Sequence, residues 1–270
     1  MKLYRVTLTG ADNSICPEAL LNLSEDYPFV EWGILLSQRQ MGGPRFPSLP
    51  WITGLVDEVG RRQGEQINIS LHLCGTYMRE LLLGHCGVLR EHSELFDIAQ
   101  RVQLNFHAER QIVDMSALLP VLRFHKKQWI FQLDGVNDGL LTWAMDSGVN
   151  AVGLFDRSHG AGVLPERWPL PDFTAQCYGF AGGLGPDNIE QQIPSINAFG
   201  GCEIGSTHIG DRLAANTKAD FWIDMEGKLR TVSSRHPIRG RSDRFSLAKC
   251  VQVLNKCMPF VQEEQFHAAD

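Results

Sequence analysis

Two segments of the sequence combine residue types suited to chemistry on a phosphorylated molecule, and the first is built around Asp156. This residue follows the apolar run 151–155, and Gly160 and Gly162 come soon after it. A carboxyl group at the end of a buried strand loses part of its hydration. Such a group can have a raised pKa and act as a general acid. The nearby glycines leave room for a ligand. The alternative is a carboxylate that caps a turn or pairs with Arg157.

The second segment is the glycine-rich stretch at residues 177–189. Its pattern predicts a short buried strand, a turn and the start of a helix. Gly182 and Gly183 allow the backbone to approach a ligand closely, and Pro186 suits the first helical position. Because free backbone N–H groups at such a turn attract anions, the segment predicts a phosphate site. A glycine turn that binds nothing is the alternative.

Further candidate groups lie near other predicted strand ends. Arg45 lies in the Gly/Pro-rich loop 42–47, where an arginine can hold a carboxylate or phosphate with two hydrogen bonds; a surface arginine is the alternative. Four residues are of types that ligate zinc, namely His72, Cys74, His107 and Asp134. Their spacing matches neither HExxH nor paired CxxC motifs, so we expect neither a metal nor another cofactor.

The elements that must position these groups alternate between short apolar runs and helical patterns. Strands are predicted at residues 3–8, 30–36, 67–73, 102–106, 129–133, 151–155, 176–180 and 221–225. Helices are predicted at residues 17–23, 49–62, 77–83 with 93–100, 115–124, 138–147, 187–196 and 245–257. Such alternation predicts a parallel sheet with crossover helices, and eight repeats indicate closure into a (β/α)8 barrel. An open, doubly wound sheet is the alternative.

Several details of this barrel are less regular. The helix after strand six is missing, since residues 156–176 are rich in proline. Residues 198–219 indicate an insertion and residues 232–243 a long loop within one domain of residues 1–270. Strand eight fits either residues 201–205 or residues 220–226, and the second placement lets the last helix follow it. Pro194 should end or kink its helix, and Ser242 or Asp243 is expected to cap the last one.

Composition narrows the class of protein. A chain of 270 residues suits one barrel of about 250 residues. A net charge of −6 argues against general nucleic-acid binding. Seven scattered cysteines argue against a disulfide framework. Neither a signal peptide nor an apolar run of membrane-spanning length is apparent, so we expect a cytoplasmic protein without membrane contact.

Taken in order, these motifs resemble the phosphoribosylanthranilate isomerase family, whose members are (β/α)8 barrels. The most specific match is residues 180–189, similar to the family segment Leu-Ala-Gly-Gly-Leu-x-Pro-x-Asn-Val. Residues 154–156, with 160–162 and Trp168, resemble its Asp…Gly-Gly-Thr-Gly…Trp segment. Residues 42–46 resemble its Ser-Pro-Arg-Tyr loop, and residues 102–105 resemble its Val-Gln-Leu-His-Gly segment. Residues 223–227, together with Arg230 and Thr231, resemble its strand-eight signature Val-Asp-x-Ser-Ser-Gly-Val-Glu.

The resemblance implies a reaction and a set of roles. The reaction is an Amadori rearrangement of a phosphoribosyl amine, in which an acid opens the ribose ring and a base moves the C2 proton. Asp156 corresponds to the acid, and Arg45 corresponds to the arginine that binds the substrate carboxylate. Gly160 and Gly162 are expected beside the substrate. The phosphate loops correspond to Gly182, Gly183, Glu226 and Gly227.

One departure concerns the base. The family uses a cysteine at the end of strand one, where this sequence has Thr9. A threonine hydroxyl stays protonated near neutral pH and is a poor base. Asp134, Cys74 or a bound water are the candidate substitutes, so Thr9 and Asp134 join Asp156 as predicted catalytic residues.

The predicted function is therefore an isomerase-like enzyme acting on a small phosphorylated substrate. Two alternatives stay open. One is an altered barrel that binds a phosphorylated ligand without isomerase activity. The other is a metal-dependent aldolase or hydrolase using the four zinc-type residues. The sequence does not indicate which group the substrate carries besides its sugar phosphate, and it does not indicate the oligomeric state.

Overall fold

The computed structural model describes residues 2–156, 162–169, 177–198, 220–232 and 243–261. Eight parallel strands form a closed barrel in sequence order, and the last pairs with the first. Their bounds are β1 Leu3–Thr9, β2 Val30–Leu36, β3 Asn68–Leu73, β4 Arg101–Leu104, β5 Gln128–Leu133, β6 Ala151–Phe155, β7 Cys177–Ala181 and β8 Asp220–Met225. The predicted (β/α)8 fold, a TIM barrel in a single domain, is confirmed.

Helices cover the outside of the barrel. The described helices are α1 Pro17–Asp26, α2 Leu49–Arg61, α3 Gly75–Leu82, α4 Gly87–Glu91, α5 Ser93–Ile98, α6 Met115–His125, α7 Asp138–Asp146, α8 Ile189–Ala198 and α9 Leu247–Cys257. They connect successive parallel strands, with α3, α4 and α5 together between β3 and β4, and α9 follows the last strand of the barrel. Residues 162–169, the described part of the connection between β6 and β7, contain no helix.

Strand eight occupies the second of the two predicted placements. β8 is formed by Asp220–Met225 and pairs with both β7 and β1. After it, β9 (Arg230–Val232) pairs antiparallel with β10 (Asp243–Phe245). The insertion predicted at residues 198–219 and the loop at 232–243 lie largely outside the described residues.

Some helix boundaries differ from the prediction. The helix α8 begins at Ile189, so Pro186 lies in the preceding turn and not at the first helical position. Pro194 lies inside α8, which continues to Ala198 and is not ended by the proline.

The cap of the last helix also differs. Ser246 caps α9, and its hydroxyl accepts a hydrogen bond from the Lys249 backbone N–H at 3.4 Å. Asp243, the predicted cap, lies in β10, and so does Phe245, which was expected to begin the helix. Ser242 lies outside the described residues. The antiparallel pairing of β9 with β10 starts the helix later, because it holds the chain extended through Phe245.

The interior of the barrel contains both an apolar and a charged part. Trp222 fills the apolar part; a Cβ on Gly179 would lie 2.3 Å from its ring, so only glycine fits there. The guanidinium group of Arg101 lies 4.3 Å from the same ring and pairs with the buried carboxylate of Glu31. Burial alone would raise the pKa of Glu31, but the charges of Arg101 and Arg5 hold it below its ordinary value. Charged groups therefore occupy the barrel interior beneath the residues at the carboxyl ends of the strands.

Candidate active site

A cavity of about 580 Å³ opens at the carboxyl end of the barrel, where loops after several strands meet. This is the end at which enzymes with this fold carry their catalytic groups. Eight of the ten predicted site residues line the cavity: Arg45, Asp134, Asp156, Gly162, Gly182, Gly183, Glu226 and Gly227. Thr9 is buried at the end of β1 and is not part of the lining, and Gly160 lies outside the described residues.

Asp224 on β8 is a carboxyl group of the cavity lining whose acidity is strongly perturbed. Its side chain is buried, and its Oδ1 accepts a hydrogen bond from the Thr9 hydroxyl at 2.7 Å. Burial raises the pKa of Asp224 to about 7; the bond from Thr9 opposes this rise, and the charges of nearby carboxylates reinforce it. Those carboxylates are Glu226, Glu31 and Asp156. Near neutral pH this group can both donate and accept a proton.

Asp156 lies at the end of β6, as predicted. Its backbone N–H donates to the Leu133 carbonyl at 3.3 Å, which extends the pairing of β5 and β6 by one residue. The amide of Gln132 donates to Asp156 Oδ2 at 3.3 Å. Since Asp156 and Asp224 line the same cavity, a bound molecule can contact both carboxyl groups.

The loop after β7 has the strand–turn–helix form predicted for it. Gly182 and Gly183 have positive φ angles of 110° and 67°. A Cβ on Gly183 would lie 2.5 Å from the Leu164 backbone nitrogen. The loop after β7 therefore packs its backbone directly against the backbone of residues 162–169. Asn188 fixes the turn, because it accepts from the Gly185 N–H at 3.0 Å and donates to the Gly183 carbonyl at 2.9 Å. The turn is thus held in one conformation at the cavity edge.

Arg45 is held on both its backbone and its side chain. Its φ of 75° is unusual for a residue other than glycine, and its N–H donates to Asp12 Oδ2 at 2.7 Å. The same oxygen accepts from the buried Arg230 at 2.6 Å. The Arg45 guanidinium pairs with Glu226 at 2.8 Å, where both side chains are about one-third exposed. An anion that binds Arg45 must therefore compete with Glu226.

Asp134 has a structural contact that the sequence reading did not include. Its Oδ1 accepts from the backbone N–H groups of Val136 and Asn137 at 2.9 and 3.1 Å, which holds the turn before α7. Its Oδ2 lies 3.4 Å from Nδ1 of His107. This carboxylate therefore holds the turn before α7 and lies close to an imidazole at the cavity wall.

The zinc-type residues do not gather into a ligand set. Among the described residues, no group of three or more His, Cys, Asp or Glu side chains is arranged to hold a metal ion. Burial also raises the pKa of the Cys74 thiol to about 12, so this sulfur stays protonated near neutral pH. The geometry thus gives no support to the metal-dependent alternative.

The sequence alone did not identify Asp224 as a site residue, although it belongs to residues 223–227 of the strand-eight match. Side chains alternate across a strand, so Asp224, two residues before Glu226, shares its inward face. That periodicity was the available signal. Its bond to Thr9 depends on the pairing of β1 with β8, which no local pattern reveals. Two cations at the cavity were also missed, Arg110 and Lys228.

Comparison with known proteins adds little to this description. No protein-family model matches the sequence, and no curated protein matches it significantly. Within the described part of the chain, no helix has both the length and the apolar character needed to cross a bilayer. The fold and the cavity define the class as a (β/α)8 barrel with clustered carboxyl groups beside a glycine turn at its carboxyl end.

Proposed function

We propose that this barrel is an acid–base enzyme that isomerises a phosphorylated sugar, in the manner of the phosphoribosylanthranilate isomerases that its sequence resembles. One observation carries the proposal. Two carboxyl groups, those of Asp156 and Asp224, line a single cavity, and Asp224 has a pKa of about 7. Proton transfer between carbon and oxygen atoms needs groups that change protonation near the working pH.

The phosphate of the substrate is assigned to the glycine turn. Gly182 and Gly183 present backbone at one edge of the cavity, and Gly227 and Lys228 line the same cavity from the loop after β8. Lys228 is exposed and has no ion pair with any described residue, so its charge is available to a phosphate. The carboxylate of Glu226 would repel a phosphate, and its pairing with Arg45 offsets that repulsion.

The reaction assigns one proton transfer to each carboxyl group. Asp156 donates a proton to the ring oxygen as the bond from that oxygen to C1 breaks, and the nitrogen lone pair forms a C=N bond, which leaves an open-chain iminium ion. The Asp224 carboxylate removes the C2 proton. The electron pair of the C2–H bond forms the C1–C2 double bond and the π pair of the C=N bond returns to nitrogen, which gives an enolamine. A proton then returns to C1 while the C2 hydroxyl loses its own, which gives the ketose. The atoms of substrate and product are the same.

Thr9 has a positioning role in this scheme. Its hydroxyl donates to Asp224 Oδ1, which leaves the second carboxylate oxygen for the substrate. The bond also lowers the pKa of Asp224 against the effect of burial. A carboxylate on β8 thus replaces the cysteine base that the family carries on strand one.

Turnover of N-(5-phosphoribosyl)anthranilate tests the proposal. We expect the wild-type protein to convert it, and Asp224→Asn and Asp156→Asn to lower kcat at least about a hundredfold while binding is kept. Asp57→Asn, which changes an exposed carboxylate on α2, should leave kcat unchanged. Full activity of Asp224→Asn would refute the assigned base.

A binding protein without isomerase activity is the second candidate. It is favoured by Thr9 at the position of the family base and by the Arg45–Glu226 ion pair, which occupies the substrate arginine. Binding of ribose 5-phosphate by a wild-type protein that shows no turnover would support this candidate over the enzyme.

A further inference from the structure

His72 is a buried imidazole at the floor of the cavity. It lies on the inward face of β3, is 1% exposed and contributes to the cavity lining. Its Nε2 is shielded from solvent and has no hydrogen-bond partner among the described residues. A buried polar group without a partner is destabilising, so such a group needs an explanation.

The imidazole of His72 is uncharged at physiological pH. Burial lowers its pKa to about 3, and the nearby charge of Glu31 opposes this only in part. A neutral imidazole has one N–H donor and one acceptor nitrogen. This combination suits a hydroxyl group, which can both accept and donate, better than a phosphate.

The surroundings of His72 place it beside the proposed base. A Cβ on Gly33 would lie 2.1 Å from Thr9 Oγ1 and 3.1 Å from His72 Cε1. The Thr9 hydroxyl and the His72 imidazole therefore lie close together, on the side of Gly33 where a side chain would project. Since Thr9 holds Asp224, a substrate carbon in contact with Asp224 would carry its hydroxyl groups close to His72.

We propose that His72 is a specificity-determining residue that forms a hydrogen bond with a sugar hydroxyl of the substrate. This inference rests on the proposed function, because it assumes a phosphorylated sugar in the cavity. The phosphate end binds at the glycine turn, and the hydroxyl-bearing carbons lie over β3 and β8. His72 thus allows the protein to discriminate between a sugar phosphate and inorganic phosphate.

Calorimetric titration with ribose 5-phosphate and with inorganic phosphate tests this assignment. His72→Leu should weaken binding of ribose 5-phosphate about tenfold, the effect of losing one hydrogen bond, and leave binding of inorganic phosphate unchanged. His72→Gln, which keeps a donor and an acceptor, should recover part of the loss. Its recovery also guards against misfolding of the leucine variant.

Ser70→Ala is the matched control. Ser70 lies two residues earlier on β3, is equally buried and also has an unpartnered polar atom, but it does not line the cavity. We expect this variant to bind both probes as the wild type does. If His72→Leu keeps the wild-type ratio of the affinities for ribose 5-phosphate and inorganic phosphate, the proposed role of His72 is refuted, while the proposed phosphate site is not affected. If the wild type binds neither probe, the phosphate site fails and the role of His72 fails with it.

Discussion

Replacement of Asp224 by asparagine should stabilise the protein while it removes the proposed base. The rise of the Asp224 pKa from 3.8 to about 7 means that the folded protein disfavours the ionised carboxylate. This difference corresponds to about 4 kcal/mol above neutral pH. Asparagine carries no charge and its side-chain oxygen can still accept the hydrogen bond from Thr9.

The sign of the pH dependence follows from the same shift. Between about pH 4 and pH 7 the folded wild type binds more protons at this site than the unfolded chain does, so its stability falls as the pH rises. Asp224→Asn has no titrating group at this position, so its stability does not fall in this way as the pH rises. Its advantage in the free energy of unfolding should therefore be about 2 kcal/mol at about pH 5 and about 4 kcal/mol at about pH 8.

Urea denaturation at the two pH values measures the difference. Asp57→Asn is the control, since this exposed carboxylate on α2 should give a change that hardly depends on pH. A gain for Asp224→Asn that is the same at both pH values, or a loss at about pH 8, would refute the electrostatic account of this site.

Three further predictions concern neighbouring parts of the cavity. Thr9→Val removes the bond that lowers the Asp224 pKa, so the rising limb of kcat/KM against pH should move to higher pH; a limb that stays in place contradicts the positioning role. Gly183→Ala should destabilise the fold by about 1–3 kcal/mol and weaken phosphate binding in calorimetry, because of its positive φ and the 2.5 Å approach to Leu164. Gly60→Ala, which lies on α2 outside the cavity and has open space at its Cβ, is the control, and equal effects would count against the packed loop. Glu226→Gln frees Arg45 and should tighten phosphate binding severalfold, with a stability change below about 1 kcal/mol because the ion pair is partly exposed; weaker binding would show that Glu226 supports the ligand.

Most of the fold was predictable because each element carries its own pattern. The buried run of residues 151–155 is apolar on both faces, as strands of a parallel sheet are. The amphipathic last helix was equally clear, apart from its start. Ser246 caps it because pairing of β9 with β10 extends the chain through Phe245. That pairing joins segments that are separated by ten residues in the sequence, and local sequence does not encode it.

The site was predictable where a residue type and a strand end coincide. Asp156 and Gly182 were selected on that basis, and the structure places both at one cavity. Asp224 was not selected for the site and His72 was considered only as a zinc ligand. The raised pKa of Asp224 and the missing partner of His72 Nε2 both come from burial inside the closed barrel. Burial of that kind arises from all eight strands together, so no single segment reports it.

Carbon-13 NMR titration of the Asp224 carboxyl group tests the central claim most directly, with Asp224→Asn used to assign the resonance. The account predicts a midpoint near pH 7 in the free protein and a shifted midpoint when ribose 5-phosphate is bound. A midpoint close to the ordinary value of 3.8 that is insensitive to the sugar phosphate would contradict it.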